Sequence, residues 1–179
     1  MAPNLYLTGF SYTGKTAVGP LLAQRLGLGL LDIDAEVERR TGRYVHEIWA
    51  AEGEARYREM ERQVLLEVAE RGSLVVATGG GIVQDSRNRE AMARSGAIVC
   101  LEARPETVLR RLREQDPSET LGGVRPLLQT PDPLERIHAL KALRQPFYAL
   151  ADWTIHTDGL TPDQVAQEVV RAWRQLSAT

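Results

Sequence analysis

A glycine-rich motif with one lysine gives the first indication of chemistry in this sequence. Residues 9–16 read GFSYTGKT, which matches the pattern GxxxxGK(S/T) between a short apolar run and a helical pattern. A loop of this type surrounds phosphate with backbone N–H groups, while Lys15 would reach phosphate oxygens and Thr16 would offer a hydroxyl to Mg²⁺. The chain has 20 arginines and only 2 lysines, so Lys15 is not expected to be incidental. We therefore interpret the segment as a phosphate-binding P-loop rather than a plain glycine turn.

Two further clusters follow predicted strands. Asp32 and Asp34 end the run LGLLDID, and as alternate strand residues they are expected to point the same way. Near a P-loop, two carboxylates indicate magnesium and substrate-hydroxyl binding, although capping of a helix by one aspartate is the commoner role of such a pair. Thr78 is followed by Gly79, Gly80 and Gly81, and we expect this bare backbone to let a ligand approach.

Three arginines are candidates that spacing alone does not separate from surface residues. These are Arg58, Arg125 and Arg144. An arginine is more often a solvated surface residue or an ion-pair partner than a binding residue. Arg125 is the most informative of them, because it precedes Pro126 in an irregular, glycine- and proline-bearing stretch from 115 to 131. A lid over bound phosphate would carry a charge of this kind.

Other classes of chemistry receive little support. The three histidines have no metal-ligand spacing, and Cys100 is a single cysteine in an apolar run, which predicts a buried structural thiol. The formal charge is −2, which does not favour nucleic acid as a partner. The sequence has neither a membrane-spanning apolar stretch nor a basic leader, so we predict a cytoplasmic protein with no membrane partner.

The periodicity indicates how these residues are positioned. With 179 residues and 43% apolar side chains, the chain is expected to form one domain over residues 1–179. Five short apolar runs alternate with helical patterns, which predicts an α/β fold with a parallel sheet covered on both faces. We expect Pro20 to kink the first helix and Pro146 to interrupt a helix over about 133–151. Ligands of such sheets bind beyond the carboxyl ends of the strands.

The ordered set of motifs resembles the shikimate kinase family. GKT, DID, YREME (57–61), TGGG, RPLL (125–128) and RQPFY (144–148) occur in the family's order and approximate spacing, and the resemblance covers the chain from Leu5 to about Val170. It implies a nucleoside-monophosphate-kinase-like core of five parallel strands in the order 2-3-1-4-5, flanked by helices. It also implies a substrate-binding segment near 33–61, a lid near 113–131, and transfer of the γ-phosphate of ATP to the 3-hydroxyl of shikimate.

The resemblance also implies a role for each matching residue. Asp34 would be the base, Arg58 and Arg144 would hold the substrate carboxylate, and Glu61 would orient Arg58. Arg111 would stack on adenine, and Arg125 would reach the phosphates from the lid. The implied catalytic residues are Lys15, Asp34 and Arg125, and the magnesium residues are Thr16 and Asp32. The implied ATP-binding residues are Gly9, Ser11, Tyr12, Thr13, Gly14, Lys15, Thr16, Ala17, Arg111 and Arg125. The implied shikimate-binding residues are Asp34, Trp49, Tyr57, Arg58, Glu61, Gly79, Gly80, Gly81, Pro126, Leu127 and Arg144.

Three departures from the family pattern qualify these expectations. Tyr12 stands where the family usually has glycine, Gly19-Pro20 falls within the first helix, and the segment between Arg111 and Arg125 is several residues longer than usual. The alternatives are another small-molecule kinase such as a gluconate kinase, a nucleotide kinase, or a non-catalytic nucleotide-binding module. Paired arginines with carboxylates favour a hydroxylated acid as the substrate, and family precedent favours a monomer.

Overall fold

A five-stranded parallel sheet forms the centre of the molecule. The computed structural model describes residues 3–114, 128 and 130–176. The strands are β1 (Asn4–Thr8), β2 (Gly29–Asp32), β3 (Leu74–Ala77), β4 (Gly96–Glu102) and β5 (Trp153–His156). Their order is β2-β3-β1-β4-β5, and all neighbouring pairs are parallel. The predicted fold class is confirmed.

Helices cover both faces of this sheet. They are α1 (Lys15–Leu26), α2 (Ile33–Thr41), α3 (Val45–Arg71), α4 (Ser86–Ser95), α5 (Pro105–Glu114), α6 (Pro133–Tyr148) and α7 (Pro162–Leu176), with a short 3₁₀ helix at Ile82–Gln84. In the described part of the chain, none of these helices is long and apolar enough to cross a membrane.

The alternation of β1 side chains divides the core into two layers. Leu5 and Leu7 pack with residues of α1 and α7 on one face, whereas Tyr6 packs with residues of α2 to α6 on the other. Cys100 belongs to the second layer and is buried, and burial raises the pKa of its thiol to about 11. Cys100 therefore serves as a packing residue of the core, as predicted.

The predicted interruption at Pro146 was wrong, and α1 also has no break at Pro20. Helix α1 continues through Pro20, and the preceding residue is Gly19, which has no Cβ to clash with the proline ring. Helix α6 likewise continues through Pro146 and ends two residues later, at Tyr148. The real bend occurs in α3 at Gly53, where φ is 85° and ψ is 166°.

Candidate active site

The loop between β1 and α1 has the shape that its glycines permit. A Cβ on Gly9 would collide with the carbonyl oxygen of Leu101 on the neighbouring strand, so no larger residue fits there. Lys15 Nζ donates to the carbonyl oxygens of Gly9 at 2.8 Å and Phe10 at 2.7 Å. Thr13 Oγ1 also donates to the Phe10 carbonyl, at 2.8 Å. The loop therefore folds around its own lysine.

Tyr12 adopts the left-handed conformation that glycine would occupy more readily, with φ at 63°. Its carbonyl oxygen accepts a hydrogen bond from Arg111 Nη1 at 3.0 Å. The same guanidinium donates to the Thr157 hydroxyl at 3.0 Å and the Thr157 carbonyl at 2.8 Å, and burial lowers its pKa. Arg111 thus joins the P-loop to the segment that follows β5.

Asp32 and Asp34 lie beside the P-loop but not on one strand. Strand β2 ends at Asp32, and Asp34 lies in the first turn of α2, so the expected same-face strand arrangement was wrong. Asp32 Oδ1 caps α2 by accepting from Ala35 N at 3.2 Å, and its Oδ2 accepts from the Thr16 hydroxyl at 3.4 Å. The expected helix-capping role is therefore present, and the second oxygen of Asp32 contacts the hydroxyl of Thr16.

Helix α3 supplies a buried cluster of charges next to Asp34. The Tyr57 hydroxyl donates to Asp34 Oδ1, and Arg58 Nη1 lies 2.7 Å from Glu61 Oε2. Burial raises the pKa of Glu61 to about 7, although the charge of Arg58 opposes this. Burial, with the charge of Asp34 as a smaller cause, raises the pKa of Tyr57 well above its usual value. Tyr57 therefore stays a hydrogen-bond donor at neutral pH.

The three glycines after β3 make room chiefly for protein side chains. A Cβ on Gly79 would collide with Glu61 Oε1 and lie 3.2 Å from Asp34 Oδ1. A Cβ on Gly81 would lie 2.6 Å from Arg58 Cζ and 2.9 Å from its Nη1. At Gly80 the nearest side-chain atom would be Arg144 Nη1, at 3.4 Å. The missing side chains at Gly79 and Gly81 thus make room for Glu61 and Arg58, and all three glycines line one cavity with Arg58 and Arg144.

Arg144 approaches the same place from α6. It is only 4% exposed, and its Cζ lies 5.6 Å from the centre of the Phe10 ring. One turn further along α6, the Tyr148 hydroxyl donates to the Gly80 carbonyl at 2.5 Å, which fixes the helix against the glycines.

These elements enclose one cavity, which we call the two-arginine pocket. Trp49 lines it beside Arg58, whose Cζ lies 5.6 Å from the Trp49 ring and 5.3 Å from the Tyr57 ring. Its full lining is Phe10, Ser11, Asp34, Val45, Trp49, Tyr57, Arg58, Gly79, Gly80, Gly81, Leu128, Leu140 and Arg144.

The structure therefore brings the predicted substrate residues together with two P-loop residues. Sequence reasoning missed the apolar lining of Phe10, Val45, Leu128 and Leu140, for which no chemical signal exists. Arg125, Pro126 and Leu127 lie outside the described residues. The structure also places three of the residues predicted to bind ATP. Gly14 directly precedes α1, and Thr16 and Ala17 are exposed on the first turn of that helix.

Comparisons with known proteins agree on one family. The family model for shikimate kinase matches residues 12–174. A shikimate kinase of Symbiobacterium thermophilum is 45% identical over 168 residues, covering 93% of this chain and 94% of that protein. One of Thermodesulfovibrio yellowstonii is 38% identical over 174 residues, covering 97% and 96% respectively.

Solved structures give the same result. The shikimate kinase from Acinetobacter baumannii in complex with shikimate is 37% identical, with a TM-score of 0.88 over 100% of this chain and 96% of that one. A gluconokinase from Sinorhizobium meliloti is 16% identical, with a TM-score of 0.63 over 97% of this chain and 93% of that one, and this likeness concerns the fold alone.

Proposed function

The chain belongs to the shikimate kinase family, and we propose that its two-arginine pocket is where it binds shikimate for phosphorylation. The enzyme transfers the γ-phosphate of ATP to the 3-hydroxyl of shikimate, giving 3-phosphoshikimate and ADP. One observation carries the proposal for the site: Arg58, Arg144 and Asp34 line a single cavity that also includes Phe10 and Ser11 of the P-loop.

The two arginines would hold the carboxylate of shikimate. Guanidinium groups bind a carboxylate through paired N–H donors in one plane, which gives both affinity and orientation. Arg58 is already fixed by Glu61 at 2.7 Å and by Glu54 at 3.0 Å, so its fork is oriented before the substrate arrives. Glu61 lies behind Arg58 and acts on the substrate through it.

Asp34 would orient the attacking hydroxyl and accept its proton. It is 8% exposed and lines the pocket, so little water competes for its oxygens. The Tyr57 hydroxyl donates to Oδ1, which holds the carboxylate at the wall of the pocket. A carboxylate held in this way acts as a general base once the hydroxyl is within hydrogen-bond reach.

Lys15 and Mg²⁺ would neutralise the phosphates. The Lys15 contacts to Gly9 and Phe10 would be exchanged for phosphate oxygens when ATP binds. The arrangement of Thr16 and Asp32 fits Mg²⁺, because a hydroxyl and a carboxylate lie 3.4 Å apart at the start of α1. Magnesium needs few protein oxygens, since phosphate and water supply the rest, and when bound it would offset charge on the transferring phosphate.

The remaining nucleotide contacts are proposals from the family resemblance. Arg111 would stack on adenine, and its bond to the Tyr12 carbonyl would keep it beside the P-loop. Arg125, with Pro126 and Leu127, would close the site as part of the lid near 113–131. We further propose one domain over 1–179, a monomer, and a cytoplasmic location, which suits both the ATP supply and the unpaired thiol of Cys100.

The test compares shikimate with its carboxamide. Arg58→Lys and Arg144→Lys should weaken binding of the acid by on the order of 10- to 100-fold, because each lost charge-assisted bond contributes roughly 1.5–3 kcal/mol. Binding of the amide and of ATP alone should change little. If both variants distinguish acid from amide as well as the parent does, the carboxylate is bound elsewhere. Assays with gluconate and nucleoside monophosphates address the alternative kinases.

A further inference from the structure

The second lysine of the chain is as unusual as the first. Arginine supplies 20 of the 22 basic side chains, and the two lysines are Lys15 and Lys141. Both are buried, each with 8% of its surface exposed. Lys15 has a role in the P-loop, whereas neither the P-loop nor the two-arginine pocket includes Lys141.

Lys141 forms a buried ion pair with Glu102. Its ammonium group contacts Glu102 Oε1, and Glu102 is the last residue of β4, with 8% exposure. Within the described part of the chain, the other oxygen, Oε2, has no hydrogen-bond partner. The pair ties the middle of α6 to the end of the strand that neighbours β1. Apolar residues would fill this space without the cost of desolvating two charges, so stability alone is a weak explanation for it.

The geometry connects this pair to the substrate arginine. Lys141 and Arg144 are three residues apart on α6 and lie on the same side of the helix. Lys141 Nζ lies 5.7 Å from the centre of the Phe10 ring, and Arg144 Cζ lies 5.6 Å from it. The carbonyl of Phe10 accepts hydrogen bonds from Lys15 and Thr13. The ring of one P-loop residue, Phe10, therefore lies close to both Lys141 and Arg144.

We propose that Lys141, held by Glu102, is a positioning residue that sets the place of Arg144 relative to the substrate carboxylate. The ion pair fixes the rotation of α6 about its axis, and Phe10 fixes its distance from the P-loop. This inference rests on the proposed role of Arg144 in binding the carboxylate.

The test removes both charges together. Lys141→Met alone would leave Glu102 buried and unpaired, so a loss of activity could not be distinguished from a loss of stability. In the double variant Glu102→Met/Lys141→Met the volumes are nearly kept, so its Tm should stay close to that of the parent. We expect its KM for shikimate to rise about tenfold, since a small misplacement of a binding group has effects of this size. The KM for the carboxamide should not change.

Two further variants complete the design. Leu143→Ala lies on the same turn of α6 with 62% exposure, and it should behave as the parent does in every assay. The pair Glu102→Gln/Lys141→Gln keeps a hydrogen bond without charge, and it serves as the test variant if the methionine variant does not fold. It should also reduce the preference for acid over amide.

The outcomes separate this inference from the proposed function. A folded double variant that prefers acid to amide as strongly as the parent does would overturn the positioning role of Lys141. If Arg144→Lys, measured alongside, still loses that preference, its own role in binding the carboxylate stands. If Arg144→Lys also keeps the full preference, both proposals are overturned.

Discussion

Gly81→Ala is the sharpest test of how the substrate arginines are held. The backbone at Gly81 has φ of −100° and ψ of −6°, which alanine adopts without strain. The new Cβ would lie 2.6 Å from Arg58 Cζ and 2.9 Å from Nη1, so the guanidinium must move. Its partner Glu61 is fully buried and unable to follow, so Arg58 would leave its position beside the pocket.

The expected magnitude follows from the bonds that Arg58 would lose. A displaced guanidinium forfeits one or two charge-assisted bonds to the carboxylate at roughly 1.5–3 kcal/mol each, so the Kd for shikimate should rise at least about tenfold. The assay is a shikimate titration monitored by tryptophan fluorescence, because Trp49 lines the pocket. The Kd for ADP without shikimate should stay within about twofold, since the nearest atoms to the added methyl group all belong to Arg58 and none to the P-loop.

A double-mutant cycle separates displacement of Arg58 from simple blocking of the pocket. In an Arg58→Ala background the added methyl group has no guanidinium to displace, so Gly81→Ala should have little further effect on shikimate binding. If Gly81→Ala binds shikimate within about twofold of the parent, the fixed position of Arg58 is not required and the reasoning fails.

Three other predictions follow from the same structure, and a fourth, at Arg125, follows from the family resemblance. Lys15→Ala should remove nearly all turnover, and a folded variant that keeps more than about a tenth of kcat would contradict its role at the phosphates. Asp34→Asn should depress kcat while ATP still binds, and a rate close to the parent's would leave Asp34 without a chemical role. Arg125→Ala should lower kcat more than it weakens shikimate binding, whereas unchanged activity would assign Arg125 to the surface. Glu61→Gln should alter the pH dependence of stability: burial raises the pKa of this carboxyl from 4.5 to about 7, so the stability it contributes is present below pH 4.5 and is lost as pH rises through 7. Relative to the variant, the parent should lose on the order of 3 kcal/mol of unfolding free energy over that window, and parallel pH curves would contradict this.

Much of the fold could be predicted from sequence patterns that depend only on neighbouring residues. The order of apolar runs and helical patterns predicts the parallel sheet, because parallel strands need helical crossovers. The motif over 9–16 predicts the P-loop, since Gly9 is required by the close approach of the Leu101 carbonyl.

Features that depend on distant parts of the chain were harder to predict. Asp34 was assigned to a strand because its place in α2 depends on where Asp32 caps that helix. The bend of α3 at Gly53 was missed, since an isolated glycine in a helical pattern is usually tolerated. The pairing of Glu102 with Lys141 joins residues 39 positions apart and has no local signature.

Because the chain has only two lysines, their side-chain signals can be assigned easily by nuclear magnetic resonance. In protein labelled with ¹⁵N only at lysine, every side-chain ammonium signal arises from Lys15 in the P-loop or from Lys141 on α6. Burial slows the exchange of their protons with water, which favours detection of such signals. Both lysines are near Phe10, one through its carbonyl and the other over its ring. Two resonances would thus follow the nucleotide side and the acid side of the site at once, in the unmodified enzyme.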